Sequence, residues 1–168
     1  DLAFVVLPFE KDFHAKYGYH VEFVGHPLLD SVNEFVPDPD FHEESGLSEK
    51  PLIAIVPGSR KQEISRILPI MLSILPEFPD YQFVIAGVNT LGEAFYQKFI
   101  GTLPVKVITG RTYDLISSSR AAIVTSGTAT LETALLGTPQ VVCYRMSFLT
   151  ALLAWIVVRV ENISLVNL

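Results

Sequence analysis

Residues 120–137 read RAAIVTSGTATLETALLG, and this stretch decides the fold. A short apolar run leads into small hydroxyl residues around Gly127 and then into a second run with a helical pattern. α/β proteins use this order of strand, turn and helix to direct main-chain N–H groups at a ligand phosphate. Gly127 lets a ligand approach the main chain without a Cβ in the way.

Four side chains of this stretch are candidate ligand contacts. The hydroxyl groups of Ser126, Thr128 and Thr130 either cap the helix or donate to phosphate oxygens. Glu132 lies about one turn inside the helix, where its carboxylate either accepts ribose hydroxyls or only complements the helix dipole. A second phosphate-binding turn elsewhere in the sequence would favour the ligand-binding interpretation.

A second turn of this kind lies upstream, in residues 51–64, which read PLIAIVPGSRKQEI. The apolar run predicts a central parallel strand, and the turn carries Gly58, Ser59 and Arg60. Ser59 is predicted to cap the following helix. Arg60 is either a solvated surface residue or a phosphate ligand. A positive charge at a helix N-terminus interacts unfavourably with the helix dipole, so the position of Arg60 favours a bound anion.

Strands and helices alternate along the chain. The strands are predicted at residues 51–57, 81–87, 104–108, 121–125 and 140–144, and the helices at 60–75, 90–100, 111–118, 128–136 and 147–158. This alternation predicts a doubly wound parallel sheet of the Rossmann-like class. Because both turns follow carboxyl ends of strands, we expect them to face one crevice.

The first residues are organised differently. Residues 1–27 predict a strand, a short helix and a second strand, and the polar segment 38–45 predicts a surface connection. We expect 1–30 to end one domain and 31–168 to form a second, truncated at its C-terminal end. The chain is expected to be a piece of a longer protein.

Composition restricts the function. Hydrophobic residues make up 49% of the chain, which suits a sheet buried on both faces. The net charge is −6 and no lysine or arginine cluster stands out in the sequence, so nucleic acid is not an expected partner. Cys143, the single cysteine, is predicted to be a buried strand residue in a reducing compartment. The four histidines lack metal-ligand spacing, so no metal site is expected.

An apolar run covers residues 148–160. It is shorter than the roughly 20 residues that span a bilayer. It predicts either a buried helix or a segment lying at a membrane surface.

Four motifs together resemble the lipid-A-disaccharide synthases. They are VGHPLLD at 24–30, PGSRKQEI at 57–64, SGTATLE at 126–132 and GTPQVVCYR at 137–145. Their order and spacing cover nearly the whole chain. The resemblance implies the C-terminal, UDP-binding half of a two-domain GT-B glycosyltransferase of family 19.

The resemblance also implies an activity. Enzymes of this family transfer 2,3-diacylglucosamine from UDP-2,3-diacylglucosamine to 2,3-diacylglucosamine 1-phosphate, with inversion and without a metal or other cofactor. The products are a β(1→6) disaccharide 1-phosphate of lipid A biosynthesis and UDP. The expected location is the cytoplasmic face of the bacterial inner membrane, as a peripheral protein.

The resemblance assigns roles to seven residues. Gly58, Ser59 and Arg60 contact the diphosphate or the donor sugar, Ser126, Gly127 and Thr128 contact the phosphates, and Glu132 holds the ribose. Thr130, whose hydroxyl is a candidate from the motif itself, completes the predicted site of eight residues. The catalytic base is expected in the N-terminal half, so this chain alone is expected to be inactive. His26, between a glycine and a proline, is expected to be structural rather than a base.

Two other functions remain open at the level of sequence. One is another GT-B enzyme acting on a UDP-sugar, either a UDP-N-acetylglucosamine 2-epimerase or a lipid II glycosyltransferase, although residues 58–63 favour the lipid A enzymes. The other is a non-catalytic nucleotide-binding module. A receiver domain is disfavoured because the predicted strand ends lack clustered carboxylates; they carry Gly58, Gly87, Gly110 and Ser126 instead.

Overall fold

The computed structural model describes residues 2–145 of this 168-residue chain. The helix predicted at 147–158 and the apolar run at 148–160 lie outside the described residues. The chain divides into two compact units between Val36 and Pro37.

The first unit contains two short strands and two helices: β1 (Phe4–Val5), α1 (Pro8–Ala15), β2 (Glu22–Phe23) and α2 (Pro27–Glu34). β1 and β2 pair in parallel. The Glu10 carboxylate accepts hydrogen bonds from the main-chain N–H groups of Val6 and Leu7, at 3.2 and 2.8 Å, and thereby closes the start of α1. Val5 and Val21 are the buried apolar residues among those described in this unit.

The second unit is built on a five-stranded parallel sheet. Its strands are β3 (Leu52–Val56), β4 (Gln82–Gly87), β5 (Val105–Thr109), β6 (Ala121–Thr125) and β7 (Gln140–Cys143), in the spatial order β5-β4-β3-β6-β7. β3 is central, and its Ile55 pairs with Ile85 on one side and Ile123 on the other. The three central strands are apolar on both faces and largely buried, as a parallel sheet covered on both sides requires.

Helices cover both faces of this sheet. They are α3 (Phe41–Glu44), α4 (Lys61–Leu72), α5 (Glu93–Ile100), α6 (Thr112–Ser117) and α7 (Thr128–Leu135), with short 3₁₀ helices at Leu75–Glu77 and Asn89–Leu91. The apolar residues of α4 and α5 form one core with the sheet, and those of α3, α6 and α7 form the other. The predicted doubly wound, Rossmann-like fold is confirmed.

Several local predictions need correction. Residues 38–45 are not only a surface connection, since α3 forms there and buries Phe41 to 1% exposure. The sequence did not predict α2, which begins after His26; the Nδ1 of His26 accepts a hydrogen bond from the main-chain N–H of Leu28 at 3.2 Å. That contact is structural, as expected for this histidine. Cys143 lies in a strand, β7, as expected, but it is only half-buried where full burial was expected, and burial raises the pKa of its thiol.

Within residues 2–145, none of the helices has the length and apolar character needed to cross a membrane.

Candidate functional site

A cavity of about 470 Å³ opens at the carboxyl ends of β3 and β6. These strands are neighbours, yet the turn after β3 leads to α4 on one face and the turn after β6 leads to α7 on the other. Such a switch point is where doubly wound sheets bind ligands. Of the eight predicted site residues, seven line this cavity: Gly58, Ser59, Arg60, Ser126, Gly127, Thr128 and Glu132.

Gly58 shapes the first wall of the cavity. Its φ of +99° lies in a region that residues with a Cβ rarely adopt. A Cβ at this position would also meet the Glu63 carboxyl group and would lie 3.0 Å from Cγ2 of Thr125. The side chain of Glu63 therefore packs directly over the glycine, where it joins the turn to the first residues of α4.

The start of α4 differs from the prediction in one respect. Arg60, not Ser59, is the N-cap residue, and its side chain makes no capping hydrogen bond. Ser59 and Arg60 are both exposed and line the cavity. Because the first main-chain N–H groups of a helix have no partner inside it, an uncapped start leaves them available to an anion.

The start of α7 follows the same principle. Gly127 is the N-cap residue, again without a side-chain cap, so the predicted alternative in which Ser126 or Thr128 caps this helix is wrong. The main-chain N–H of Ser126 donates to the Cys143 carbonyl at 2.9 Å and is not available to a ligand. The available groups are the hydroxyls of Ser126 and Thr128 and the first amides of α7.

Thr130 needs a correction as a candidate ligand contact. Its side chain is fully buried and does not line the cavity, and its hydroxyl donates to the main-chain oxygen of Gly127 at 2.7 Å. That bond holds the turn before α7 in place. Thr130 therefore stabilises the turn that forms the site and does not itself line the cavity.

Glu132 reaches the cavity from α7 and is held there by a residue that the sequence analysis missed. The hydroxyl of Tyr113, on α6, donates to Oε1 of Glu132 at 3.0 Å. Burial, followed by the hydrogen bond to Glu132 and its negative charge, raises the pKa of Tyr113 to about 12. Tyr113 therefore stays protonated at neutral pH and remains a donor, while Oε2 can accept hydrogen bonds from a ligand.

Other wall residues also escaped the sequence analysis: Glu63, Ala86, Val88, Thr112 and Thr125. The sequence contains one signal for Thr112 and Tyr113. They begin a helix directly after β5 and therefore lie at the same edge of the sheet as the two turns. In residues 2–145, no three His, Cys, Asp or Glu side chains lie close enough together to hold a metal ion.

The site thus joins two kinds of chemistry. A phosphate or diphosphate would find several donors here. They are the uncapped starts of α4 and α7, the Arg60 guanidinium and the hydroxyl groups of Ser59, Ser126 and Thr128. A fixed carboxylate one turn into α7 suits a pair of neighbouring hydroxyl groups, as on a ribose. Both features lie in one cavity, as expected for a nucleoside diphosphate.

Comparison with solved structures agrees with this fold. The chain superimposes on the S. aureus MnaA–UDP co-structure with a TM-score of 0.66 at 16% identity, covering 86% of this chain and 42% of that one. A crystal structure of a UDP-N-acetylglucosamine 2-epimerase gives a TM-score of 0.60 at 20% identity, covering 90% and 42%. At these identities the likeness concerns the fold alone.

Sequence comparison identifies the family. The family model described as lipid-A-disaccharide synthetase matches residues 1–168. The chain is 43% identical to the lipid-A-disaccharide synthase of Syntrophus aciditrophicus (strain SB), with all of this chain and 46% of the relative covered. It is 39% identical to that of Trichlorobacter lovleyi, with 98% and 45% covered. The chain spans about half the length of these relatives, and it belongs to the lipid-A-disaccharide synthetase family.

Proposed function

We propose that this chain is the C-terminal, donor-binding part of a lipid-A-disaccharide synthase. The complete enzyme would transfer 2,3-diacylglucosamine from UDP-2,3-diacylglucosamine to 2,3-diacylglucosamine 1-phosphate, with inversion, to form a β(1→6) disaccharide 1-phosphate and UDP. One observation carries the proposal: the two turns after β3 and β6 meet at a single cavity that also contains the Glu132 carboxylate. Family membership supports it.

The role of this part in the reaction is to bind and stabilise the departing UDP. Negative charge grows on the diphosphate as the bond to the sugar breaks, and preorganised donors stabilise such charge most when they point at it beforehand. These donors would be Arg60, the first main-chain N–H groups of α4 and α7, and the hydroxyl groups of Ser59, Ser126 and Thr128. Gly58 and Gly127 would let the diphosphate approach the main chain.

Glu132 would bind the ribose of UDP. A carboxylate accepts hydrogen bonds from two neighbouring hydroxyl groups, and Tyr113 already fixes the direction of Oε1. A bond to a charged group is worth about 1.5–3 kcal/mol. The ribose contact is therefore a large part of the expected UDP affinity.

The proposal extends to the remainder of the reaction. The general base and most of the acceptor site would lie in the other half of the complete enzyme, which would act at the cytoplasmic face of the inner membrane as a peripheral protein. Arg60 and the helix N-termini would carry the positive charge that a metal ion provides elsewhere, so we propose a metal-independent reaction. Turnover of the complete enzyme should persist in the presence of a chelator.

Calorimetric titration with UDP tests the proposal directly. Wild-type protein should bind UDP, and Glu132→Gln should bind it about ten- to a hundredfold more weakly, because one charge-assisted acceptor is lost. Glu93→Gln, which alters an exposed glutamate at the start of α5, is the matched control and should bind UDP as the wild type does. Equal UDP affinity in folded wild-type and Glu132→Gln proteins would show that the ribose assignment is wrong.

A further inference from the structure

A second cavity adjoins the first, on the other side of Arg60 and Glu63. It measures about 490 Å³ and lies between the start of α4 and the residues that follow β7. The two cavities share Arg60, Glu63, Thr125 and Ser126 as their common wall. A ligand in the second cavity would therefore lie next to one in the first.

The second cavity collects positive charge in an acidic chain. Among the described residues, four cationic residues line it, Arg60, Lys61, Arg66 and Arg145, against one carboxylate, that of Glu63. The whole chain has 12 lysines and arginines against 18 acidic residues, so a third of its basic residues line one cavity. Within residues 2–145, every ion pair involves Arg111, and none reaches these four side chains.

The fold does not explain this arrangement. Arg60 and Lys61 lie at the N-cap and first position of α4, where the helix dipole disfavours a positive charge. All four side chains are exposed, so water reduces their mutual repulsion, but none of them has an ion-pair partner among residues 2–145. An anion bound between them would relieve both unfavourable terms.

The side chains also provide directed donors. A guanidinium N–H of Arg145 donates to the main-chain oxygen of Arg66 at 3.1 Å, which holds Arg145 against α4. Both arginines present a planar fork that matches the oxygens of a phosphate. Tyr144 lines the same cavity.

We propose that this second cavity binds a phosphate monoester carried by a sugar, separately from the diphosphate in the first cavity. A phosphate monoester carries about −1.5 to −2 charges at neutral pH. With Arg60 engaged by the diphosphate, the cations that remain beside Glu63 are Lys61, Arg66 and Arg145, and their charge suits this anion better than a singly charged group. The inference rests on the proposed function, in which the acceptor is a sugar 1-phosphate. The second cavity would bind the phosphate of the acceptor, whereas the other half of the enzyme would bind the acceptor's sugar and supply the base.

The test is a titration of UDP-saturated protein with glucosamine 1-phosphate, followed by NMR or calorimetry. With the first cavity filled, the wild type should bind glucosamine 1-phosphate and should not bind glucosamine, which lacks the phosphate. The double variant Arg66→Gln/Arg145→Gln should bind glucosamine 1-phosphate at least about tenfold more weakly, since two charge-assisted hydrogen bonds are lost. Arg120→Gln, at an exposed arginine outside the cavity, should bind it as the wild type does.

UDP affinity separates this inference from the proposed function. The double variant should bind UDP within about threefold of the wild type, because exposed charges beyond the first cavity are screened by salt. If UDP itself does not bind the wild type, the proposed function fails, and glucosamine 1-phosphate can still be titrated alone. Equal sugar phosphate affinity in wild-type and double-variant proteins would overturn the inference.

A membrane arm tests the competing source of phosphate. Phosphatidylglycerol vesicles should sediment the double variant and the wild type to the same small extent, with phosphatidylcholine vesicles as the neutral control. If the wild type binds phosphatidylglycerol through Arg66 and Arg145 but does not bind glucosamine 1-phosphate, the cavity recognises a lipid surface and the inference is wrong.

Discussion

Gly58 has no side chain, so the turn after β3 can adopt a positive φ and the Glu63 carboxyl group can pack against it. An alanine there would need a positive φ, which costs about 1–2 kcal/mol, and would also displace the Glu63 carboxyl group. We therefore expect Gly58→Ala to lower both the free energy of unfolding and the UDP affinity. Urea denaturation and UDP calorimetry measure the two effects.

Gly137→Ala is the control for this prediction. Gly137 also has a positive φ, +75°, but a Cβ there would have nothing within 4 Å. It should lose stability through the backbone alone and keep its UDP affinity. If Gly58→Ala also keeps normal UDP affinity, the close packing at Gly58 has no part in ligand binding.

Tyr113 is a positioning residue for Glu132. Tyr113→Phe removes the hydroxyl that donates to Oε1, so the carboxylate loses its fixed direction. A net hydrogen bond is worth about 0.5–1.5 kcal/mol, and UDP affinity should fall about two- to tenfold. Calorimetry measures this loss.

The ligand itself supplies the control for Tyr113. Affinity for 2′,3′-dideoxy-UDP, which has no ribose hydroxyls to offer, should be the same in Tyr113→Phe and wild-type proteins. Tyr19→Phe, at an exposed tyrosine of the first unit, should bind both ligands normally. An equal loss for both ligands in Tyr113→Phe would indicate general damage to the site.

At the scale of elements, Arg111 joins α3 to α6. Its guanidinium forms ion pairs with Asp38, Glu44 and Asp114 and lies 4.8 Å from the centre of the Phe41 ring. One side chain thus binds the residues before and within α3 to the start of α6. This explains why the polar segment 38–45 folds onto the domain.

Arg111→Met should lower the midpoint of thermal unfolding, because it leaves these carboxylates without their common partner. The effect should depend on pH. The Asp40 main-chain N–H, and then the Arg111 side chain, lower the pKa of Asp38 below its ordinary value of 3.8. The stabilisation by a carboxyl with a lowered pKa is present above that ordinary value and disappears as the pH falls through the folded-state pKa.

The difference in midpoint between wild type and Arg111→Met should therefore be full at neutral pH and should narrow below pH 3.8. Arg120→Met, at an exposed arginine without an ion pair among the described residues, should change the midpoint little at either pH. A difference that is independent of pH would mean that Arg111 stabilises the fold through packing on Phe41 alone.

At the scale of the whole molecule, the chain covers 46% of its relative from Syntrophus aciditrophicus. We expect the 168-residue protein to bind UDP and to make no disaccharide from the two acylated sugars. Positioning the acceptor and its base against the donor supplies about 7–11 kcal/mol of catalysis, and those groups are expected in the other half. Chromatographic product analysis, with a full-length synthase as the positive control, measures the outcome. Turnover by this chain would place the base here, and His26 would be the first residue to replace.

The sequence by itself determined the type and order of most elements in the second unit. The strands β3 to β7 and the helices α4 to α7 lie where apolar periodicity and turn residues predict them, because these signals are local. The helix predicted at 60–75 is shorter, since α4 ends at Leu72 and a separate 3₁₀ turn follows. The sequence missed α3, whose one buried residue, Phe41, is fixed by distant partners.

The sequence also located both turns of the candidate site, since glycine and hydroxyl residues at strand ends form a local pattern. Only the tertiary structure decided which side chains reach the cavity. The pairing of β6 with β3 brings the two turns together, and it depends on contacts between residues far apart in the chain. The same packing buries Thr130, brings Tyr113 to Glu132 and gathers Arg66 and Arg145 beside Arg60. A linear pattern identifies residue types and spacing, but the direction of a side chain is set by the neighbours that the fold supplies.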